Sequence, residues 1–532
     1  MPRFQNLLKL HLPFFLLFIG TAWFYGQFES INEGPFSRHQ WRQADCLSIT
    51  NHYYEQDLPF LEPEIYWQGD EGDGKTISEF PLLYYVVGNV WKVTGKQYWI
   101  YRLISFSILL FGIFYLKKAA NQLLNNQFWS TFVAIFFFTS PLLGYYGNNF
   151  LINTNALGLA LIGSYHAYIF LKKRSQKPLL YSCVFFLFAG LFKLTALLLF
   201  FGFGAIFLWQ VIIEKSWKTR WKHFLPYLST LLLFVIWFKY VDYYNSKHLS
   251  QIFLQGTMPI WEMSWENIQN NWSSLIYSLT PEFFNPYILV GLFVFFIFIS
   301  FKQKGRNTGI FALTSIILFG VILYLILFFQ VFDVHDYYLI NLTIIVPLIL
   351  LSCLFFLKNT NQKVFTHIGS KIIGSALLGL LIYSTAIQTR IKYRVDQNWV
   401  INSPIIDNET RDFWTWYHWN YAKTKAELTN IEPYLSSIGI TKEDKVISLS
   451  DKSINISLYL MNRKGYTSFW MMKNKKIEEI TDLTKRMELW ISWGAHYLII
   501  YDESQLKEEY LQPYLSNEIG RRNNVRIYQI AS

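Results

Sequence analysis

Apolar stretches of about 20 residues recur along the chain, each long enough to cross a hydrocarbon core as one helix. They fall near residues 12–28, 99–116, 128–146, 152–171, 179–196, 197–213, 224–242, 284–301, 308–330, 338–357 and 369–388. In lipid, an open chain satisfies its backbone N–H and C=O groups only as helix, so the pattern predicts a polytopic α-helical membrane protein with about eleven transmembrane helices. Polar stretches interrupt it at residues 29–98, at 243–283 and in the short turn Asp333–Tyr338. Segment 82–94 is apolar but short and carries Asn89 and Lys92, which predicts a helix lying along the membrane surface. The first apolar segment, behind Arg3 and Lys9, is aromatic-rich and has no clear small-residue cleavage site, so it reads as a retained helix rather than a signal peptide.

From about residue 424 the pattern changes to that of a soluble α/β domain. Lys445 to Ser450 reads as a buried strand, Ile454 to Met461 as a helix closed by Gly465, Tyr497 to Tyr501 as a strand after Gly494, and Val525 to Ile530 as another. No phosphate-binding glycine loop and no transporter-like internal repeat is visible in the chain. The expected organisation is a membrane domain over residues 1–390, including the loop 29–98, followed by a small soluble domain over 391–532.

Composition agrees with a membrane chain. Hydrophobic residues make up 52% and charged residues only 16%, where roughly 25% charged is usual for a soluble protein. The net charge of +11 does not point to nucleic acid. Its residues cluster in short loops at Lys117–Lys118, Lys172–Arg174 with Lys177, Lys215–Lys222, Lys302–Arg306, and Lys358 with Lys363. Such loops mark the cytoplasmic side. That places the N-terminus in the cytoplasm and residues 29–98, 243–283, Asp333–Tyr338 and everything after 389 outside it. Cys46, Cys183 and Cys353 form neither a disulfide framework nor a metal-type CxxC spacing.

Charged groups held beside a bilayer are costly unless they serve a site, so the polar interruptions are where chemistry is expected. Asp45 follows Arg42 by three residues and shares its helical face. Its carboxylate can act as a general base on an acceptor hydroxyl, or simply pair with Arg42 at the interface. Arg42, His39 and Arg38 form a basic group suited to a phosphate or, equally, to anionic lipid headgroups. Glu79, before Phe80-Pro81, is either a helix-start carboxylate or a second acid that orients a hydroxyl or binds metal. Glu62, Glu64, Asp70, Glu71 and Asp73, interrupted by glycines, read as a solvated mobile loop.

In the turn Asp333–Tyr338, His335 can contact a phosphate or join Glu79 on a divalent metal, the one cofactor these residues suggest. The alternative is a helix cap by Asp336 with Tyr337 and Tyr338 as interface aromatics. Lys193 stands inside a long apolar run, and Gly190 and Thr195 around it suggest a break between two short helices facing a cavity. Snorkelling toward a helix end is the competing account. Asn148, Asn149, Asn153 and Asn155 suit sugar hydroxyls or simple turns.

Four motifs together resemble a known family: Trp41-Arg42-Gln43-Ala44-Asp45, Glu79-Phe80-Pro81-Leu82-Leu83-Tyr84, the lone Lys193 after Ala189-Gly190-Leu191, and His335-Asp336-Tyr337-Tyr338-Leu339. The family is the bacterial lipid-linked-sugar glycosyltransferases of the C-type fold, in particular the protein mannosyltransferase and aminoarabinose transferase-like group. The resemblance covers residues 1 to about 390. It implies a polyprenyl-phosphate sugar as donor, a lipid, glycan or protein of the cell envelope as acceptor, residence in the bacterial inner membrane, and Asp45 as the catalytic acid of the first outer loop. Glu79 matches the family's second acidic position, which takes part in metal binding in some members. Phe80 stands where some relatives place a phosphate-binding lysine, so Arg42, Lys193 or His335 has to supply that charge. The expected function is sugar transfer on the outer face of the membrane. The competing classes are a lipid-linked glycan flippase or transporter and an O-antigen polymerase or ligase. The spans hold almost no acidic residues for ion coupling, and the large outer loop comes early in the chain, which fits either class poorly.

Overall fold

The computed structural model describes residues 2–69, 72–250, 252–253, 256–302, 308–469 and 483–531. Asp70 and Glu71, the Lys304 and Arg306 of one basic cluster, and the side chains of Arg3 and Lys9 lie outside the described residues. The chain forms two compact units. The first comprises Met1–Asn32, Tyr98–Trp237 and Gly256–Ile391; the second comprises Glu33–Gln97, Phe238–Gln255 and Lys392–Ser532. The early polar stretch and the C-terminal residues therefore belong to one compact unit.

The first unit is helical. Among the described residues six helices are long and apolar enough to cross a membrane, or up to seven if the pair Trp265–Phe283 and Pro286–Ser300, bent by 92°, counts as one span. His11–Phe24, Gln127–Phe138 and Gln176–Phe192 are apolar but shorter. Two of these are short because the chain breaks locally. Gln127–Phe138 stops before Pro141, which opens the helix Pro141–Tyr146 and cannot donate a backbone hydrogen bond to the preceding turn. Gln176–Phe192 ends at Lys193, whose backbone is extended (φ −155°, ψ 120°) before the next helical turn begins at Leu194. Asn153–Lys173 packs on Tyr98–Leu124. A Cβ added at Gly112 would meet the Gly158 Cα at 2.5 Å, so these helices touch backbone to backbone, an approach that only small residues permit.

The second unit is built on a five-stranded sheet, with β1 at Lys445–Ser448, β2 at Gly465–Thr467, β3 at Ala495–Ile500, β4 at Glu518–Arg522 and β5 at Val525–Gln529. Its order is β2-β1-β3-β5-β4, with β1 parallel to β2 and β3 and the β5 pairings antiparallel. The sequence pattern predicts β1, β3 and β5. It does not reveal β2, which has only three residues, or β4, whose Glu518–Arg522 carries no apolar alternation. The helix before β2 is not closed by Gly465 as expected: Asn462 takes the left-handed cap (φ 53°), a conformation asparagine tolerates because its short side chain hydrogen-bonds locally. Gly465 instead opens β2, where a Cβ would fall 1.8 Å from the Val446 carbonyl oxygen. No other residue fits there.

Part of the early polar stretch completes this sheet. Gly465 N–H donates to the Tyr66 carbonyl and Gln68 N–H to the Gly465 carbonyl, both at 3.0 Å, so residues 66–68 lie alongside β2 as a short edge segment. The expectation that the acidic residues of this stretch form a solvated loop is corrected at Glu64. Its carboxylate is buried, paired with Lys464 and 3.8 Å from His52 Nε2. The same pairing beside β2 that holds residues 66–68 carries Glu64 inward.

Candidate functional site

Helix Gln40–Glu55 starts after His39, which holds a left-handed backbone (φ 51°). The helix is polar yet almost wholly buried. A buried polar helix is stable only if its groups find partners. Gln40 donates to the Pro35 carbonyl, Gln43 to the Phe36 and Arg38 carbonyls, and Asn51 to the Tyr66 hydroxyl, while Ser48 Oγ accepts from Tyr66 N–H. This scaffold fixes the first two turns, where Arg42 and Asp45 sit.

Arg42 lies between two carboxylates. Its Nη2 donates to both oxygens of Glu79 at 2.7 Å, and its Nη1 lies 3.7 Å from Asp45 Oδ2. Tyr84 Oη donates to Glu79 Oε2 at 2.8 Å, and the Phe253 ring stacks against the guanidinium at 4.8 Å. A small cavity opens beside Arg42 and Glu79, walled by Ile49, Ile77, Tyr84 and Phe253. Burial opposes the guanidinium charge, yet Glu79 first, then Cys46, Tyr84 and Asp45, hold it well above the ordinary arginine range.

Asp45 is fully buried (0% exposed). Its Oδ1 accepts from Asn455 Nδ2 at 2.9 Å. Its Oδ2 makes no hydrogen bond. Burial is the main influence on this carboxyl and raises its pKa to about 6, while Arg42 and the Asn455 bond pull the other way. An acid that ionises near 6, holds one oxygen fixed and keeps the other free of protein donors suits general-base work near neutral pH. The interfacial Arg42–Asp45 salt bridge considered from the sequence is a loose 3.7 Å contact inside the protein, and Arg42 makes its close pair with Glu79 instead.

The other candidates belong to the first unit. The half-buried Lys193 ammonium lies 5.2 Å from the Tyr338 ring centroid. The His335 ring packs edge-on against Tyr337 and Tyr338 at 5.7 and 6.1 Å, and its Nδ1 lies 3.0 Å from Asp333 Oδ1. Asp336 does not cap the following turn. The residue at that cap is His335, whose side chain makes no capping bond to the turn, and Asp336 Oδ1 accepts from Tyr146 Oη at 2.7 Å. Asn148 and Asn153 are buried and donate to the Gln27 and Tyr337 carbonyls, which fits turn-holding residues. Thus Arg42, Asp45 and Glu79 form one cluster, and Lys193, His335, Tyr337 and Tyr338 form another. His39 stands just before the helix that carries the first cluster and makes no side-chain capping bond to it. Among the described residues no group of three or more His, Cys, Asp and Glu side chains is gathered in a way that could hold a metal ion. Both Glu79 oxygens are engaged by Arg42 and Tyr84.

Asn455 and Tyr84 were not singled out from the sequence. Asn455 lies 410 positions from Asp45, and nothing in its local pattern, within a short apolar helix start, points to a carboxylate elsewhere. Tyr84 stands within the motif that begins at Glu79, five residues on.

No protein-family model matches the chain and no curated protein matches it. Solved structures do. ArnT from Cupriavidus metallidurans in the apo state superposes with a TM-score of 0.60 at 12% identity, covering 98% of this chain and 98% of that one. The fold is that of ArnT, a C-type glycosyltransferase fold. A second ArnT structure, bound to undecaprenyl phosphate, gives 0.58 at 11% identity over 97% of this chain and 98% of that one. Coverage of nearly the whole chain means that the C-type fold accounts for the sheet-bearing C-terminal residues as well as the helices, and it is the fold of a polytopic membrane protein.

Proposed function

We propose that the protein is an integral-membrane glycosyltransferase that moves a sugar from a polyprenyl-phosphate donor to an envelope lipid, glycan or protein on the outer face of the membrane, with Asp45 as general base. The observation that carries this reading is the buried Asp45 carboxyl, held at Oδ1 by Asn455 and with Oδ2 free of hydrogen bonds beside Arg42, in a chain with the ArnT fold. The ArnT structure with undecaprenyl phosphate supports a lipid phosphate as the donor's carrier. All eleven apolar segments of the sequence contain helix, which supports about eleven spans, with the N-terminus cytoplasmic and both the 29–98 stretch and residues 391–532 outside.

The chemistry needs little from the protein. Asp45 Oδ2 takes the acceptor's hydroxyl proton as its oxygen bonds to the sugar's anomeric carbon. The bond from that carbon to the phosphate oxygen breaks, and its electron pair leaves with the polyprenyl phosphate. Phosphate is already a competent leaving group, so positive charge suffices to favour its departure. For that role we assign Arg42, beside Asp45, and His39 at the start of the same helix. Glu79 acts by holding Arg42 charged beside Asp45. No step here runs through a metal ion.

Two outcomes test this reading. Mass spectrometry of envelope lipids, glycans and proteins from cells with and without the gene should show one sugar modification lost in its absence; an unaltered envelope would overturn it. In the purified protein, kcat/KM should rise with pH through a midpoint near 6, set by Asp45. The sign follows from burial: the folded carboxyl binds its proton more tightly than the unfolded one, so the base form becomes available only as pH passes about 6. For the same reason, the stability Asp45 contributes is complete below the ordinary carboxylate range and is lost as pH rises through about 6. A limb centred near 4 would remove the buried Asp45 as the group being titrated.

A further inference from the structure

Asn455 occupies the position just before helix Ile456–Met461, where an asparagine side chain ordinarily accepts from the helix's first N–H groups. Here it does not cap the helix. Ser453 Oγ accepts from Ile456 N–H at 3.0 Å and Asp451 Oδ2 from Ser457 N–H at 2.7 Å, so neighbouring residues do the capping. The fully buried Asn455 amide is turned elsewhere, its Nδ2 donating to Asp45 Oδ1 and its Oδ1 accepting from Trp67 N–H at 3.0 Å. Trp67 lies in the segment paired with Gly465 beside β2. Both ends of the amide are therefore committed, and a flipped amide would set N–H against N–H at Trp67 and oxygen against carboxylate at Asp45.

We infer that Asn455 is a positioning residue for the Asp45 base, so that the C-terminal sheet region supplies an obligate part of the catalytic apparatus. By holding Oδ1, the amide fixes the carboxylate plane and leaves Oδ2 as the oxygen that meets the acceptor hydroxyl. This rests on Asp45 being the base. The charged and titratable groups around it are Arg42 and Cys46 on its own helix, Glu79 before the next helix, and Asp451 on the C-terminal side. Among the groups acting on Asp45, Asn455 is the neutral donor that favours the ionised form.

The test compares Asn455→Ala and Asn455→Asp with Asp45→Asn, each purified in detergent, using transfer from a polyprenyl-phosphate sugar. Asn455→Ala should lower kcat by about 10-fold or more, leave the donor KM within about twofold, and move the acid limb of kcat/KM up by about one pH unit. Asn455→Asp keeps an acceptor for Trp67 N–H while removing the donor and adding negative charge, so its limb should move up further. A role confined to folding would lower yield or melting temperature without moving the limb. If Asp45→Asn is inactive while both Asn455 variants keep wild-type kcat and an unmoved limb, the positioning role is wrong. If Asp45→Asn itself turns over normally, the assignment of the base fails, and this inference with it.

Discussion

Asp45→Asn is expected to lower kcat for sugar transfer by about 10²–10⁴-fold, the usual worth of a general base, while the donor KM stays within a few-fold and the protein folds normally. The substitution is nearly isosteric. An asparagine oxygen at position 45 can still accept from Asn455 Nδ2, so the link between helix Gln40–Glu55 and the sheet region survives. What is lost is the ability to take a proton at Oδ2. At neutral pH the wild-type carboxylate is ionised against the cost of burial, so a neutral amide should leave the melting temperature in detergent unchanged or slightly raised. Arg42 keeps its close pair with Glu79 and is not left without a counter-charge. Turnover within a few-fold of wild type, with intact folding, would exclude Asp45 as the base and return the Arg42–Asp45 pair to a structural role.

The helices and the closeness of Arg42 to Asp45 could be read from the sequence because each rests on a local pattern. A run of about 20 apolar residues has one stable solution in lipid, and Arg42 and Asp45 are three residues apart on one helix. The break at Lys193 could also be read, because glycine and a lone cation inside an apolar run disfavour an unbroken helix. What could not be read depends on partners distant in the chain. The Arg42–Glu79 pair joins residues 37 positions apart, and Asn455 reaches Asp45 across 410. Glu64 belongs to an acidic stretch that glycines interrupt further on, a local pattern that reads as solvated; pairing with Lys464 overrides it. Three-residue β2 fails the sequence reading for the opposite reason, since its partners define it rather than its own residues. Burying a polar helix costs too much for local propensity to specify it, so only the completed network around Gln40–Glu55 explains why it is there.

Removing Glu79 is expected to have the largest effect on stability of any single change in the cluster. Arg42 is only 6% exposed, and its charge is held chiefly by Glu79 at 2.7 Å. Glu79→Ala leaves a buried guanidinium with one loose carboxylate contact at 3.7 Å, and breaking one side of such a pair costs about 3–5 kcal/mol. Glu79→Gln keeps acceptors for Arg42 and Tyr84 but loses the charge, so it should cost less. Adding Arg42→Met to Glu79→Ala should recover much of the loss, because the stranded charge is gone. Thermal unfolding in detergent of the two single variants and the double variant forms the cycle that measures this coupling. The catalytic consequence has a definite sign. Glu79 pushes the Asp45 pKa up and Arg42 pushes it down, so in Glu79→Gln the acid limb of kcat/KM should shift to lower pH, opposite to the shift expected for Asn455→Ala. A metal role for Glu79 gives a different signature: a divalent ion that co-purifies with wild type but not with Glu79→Ala, and transfer abolished by chelation. That result, with no thermal penalty recovered in the double variant, would replace the ion pair as the reason for a carboxylate at position 79.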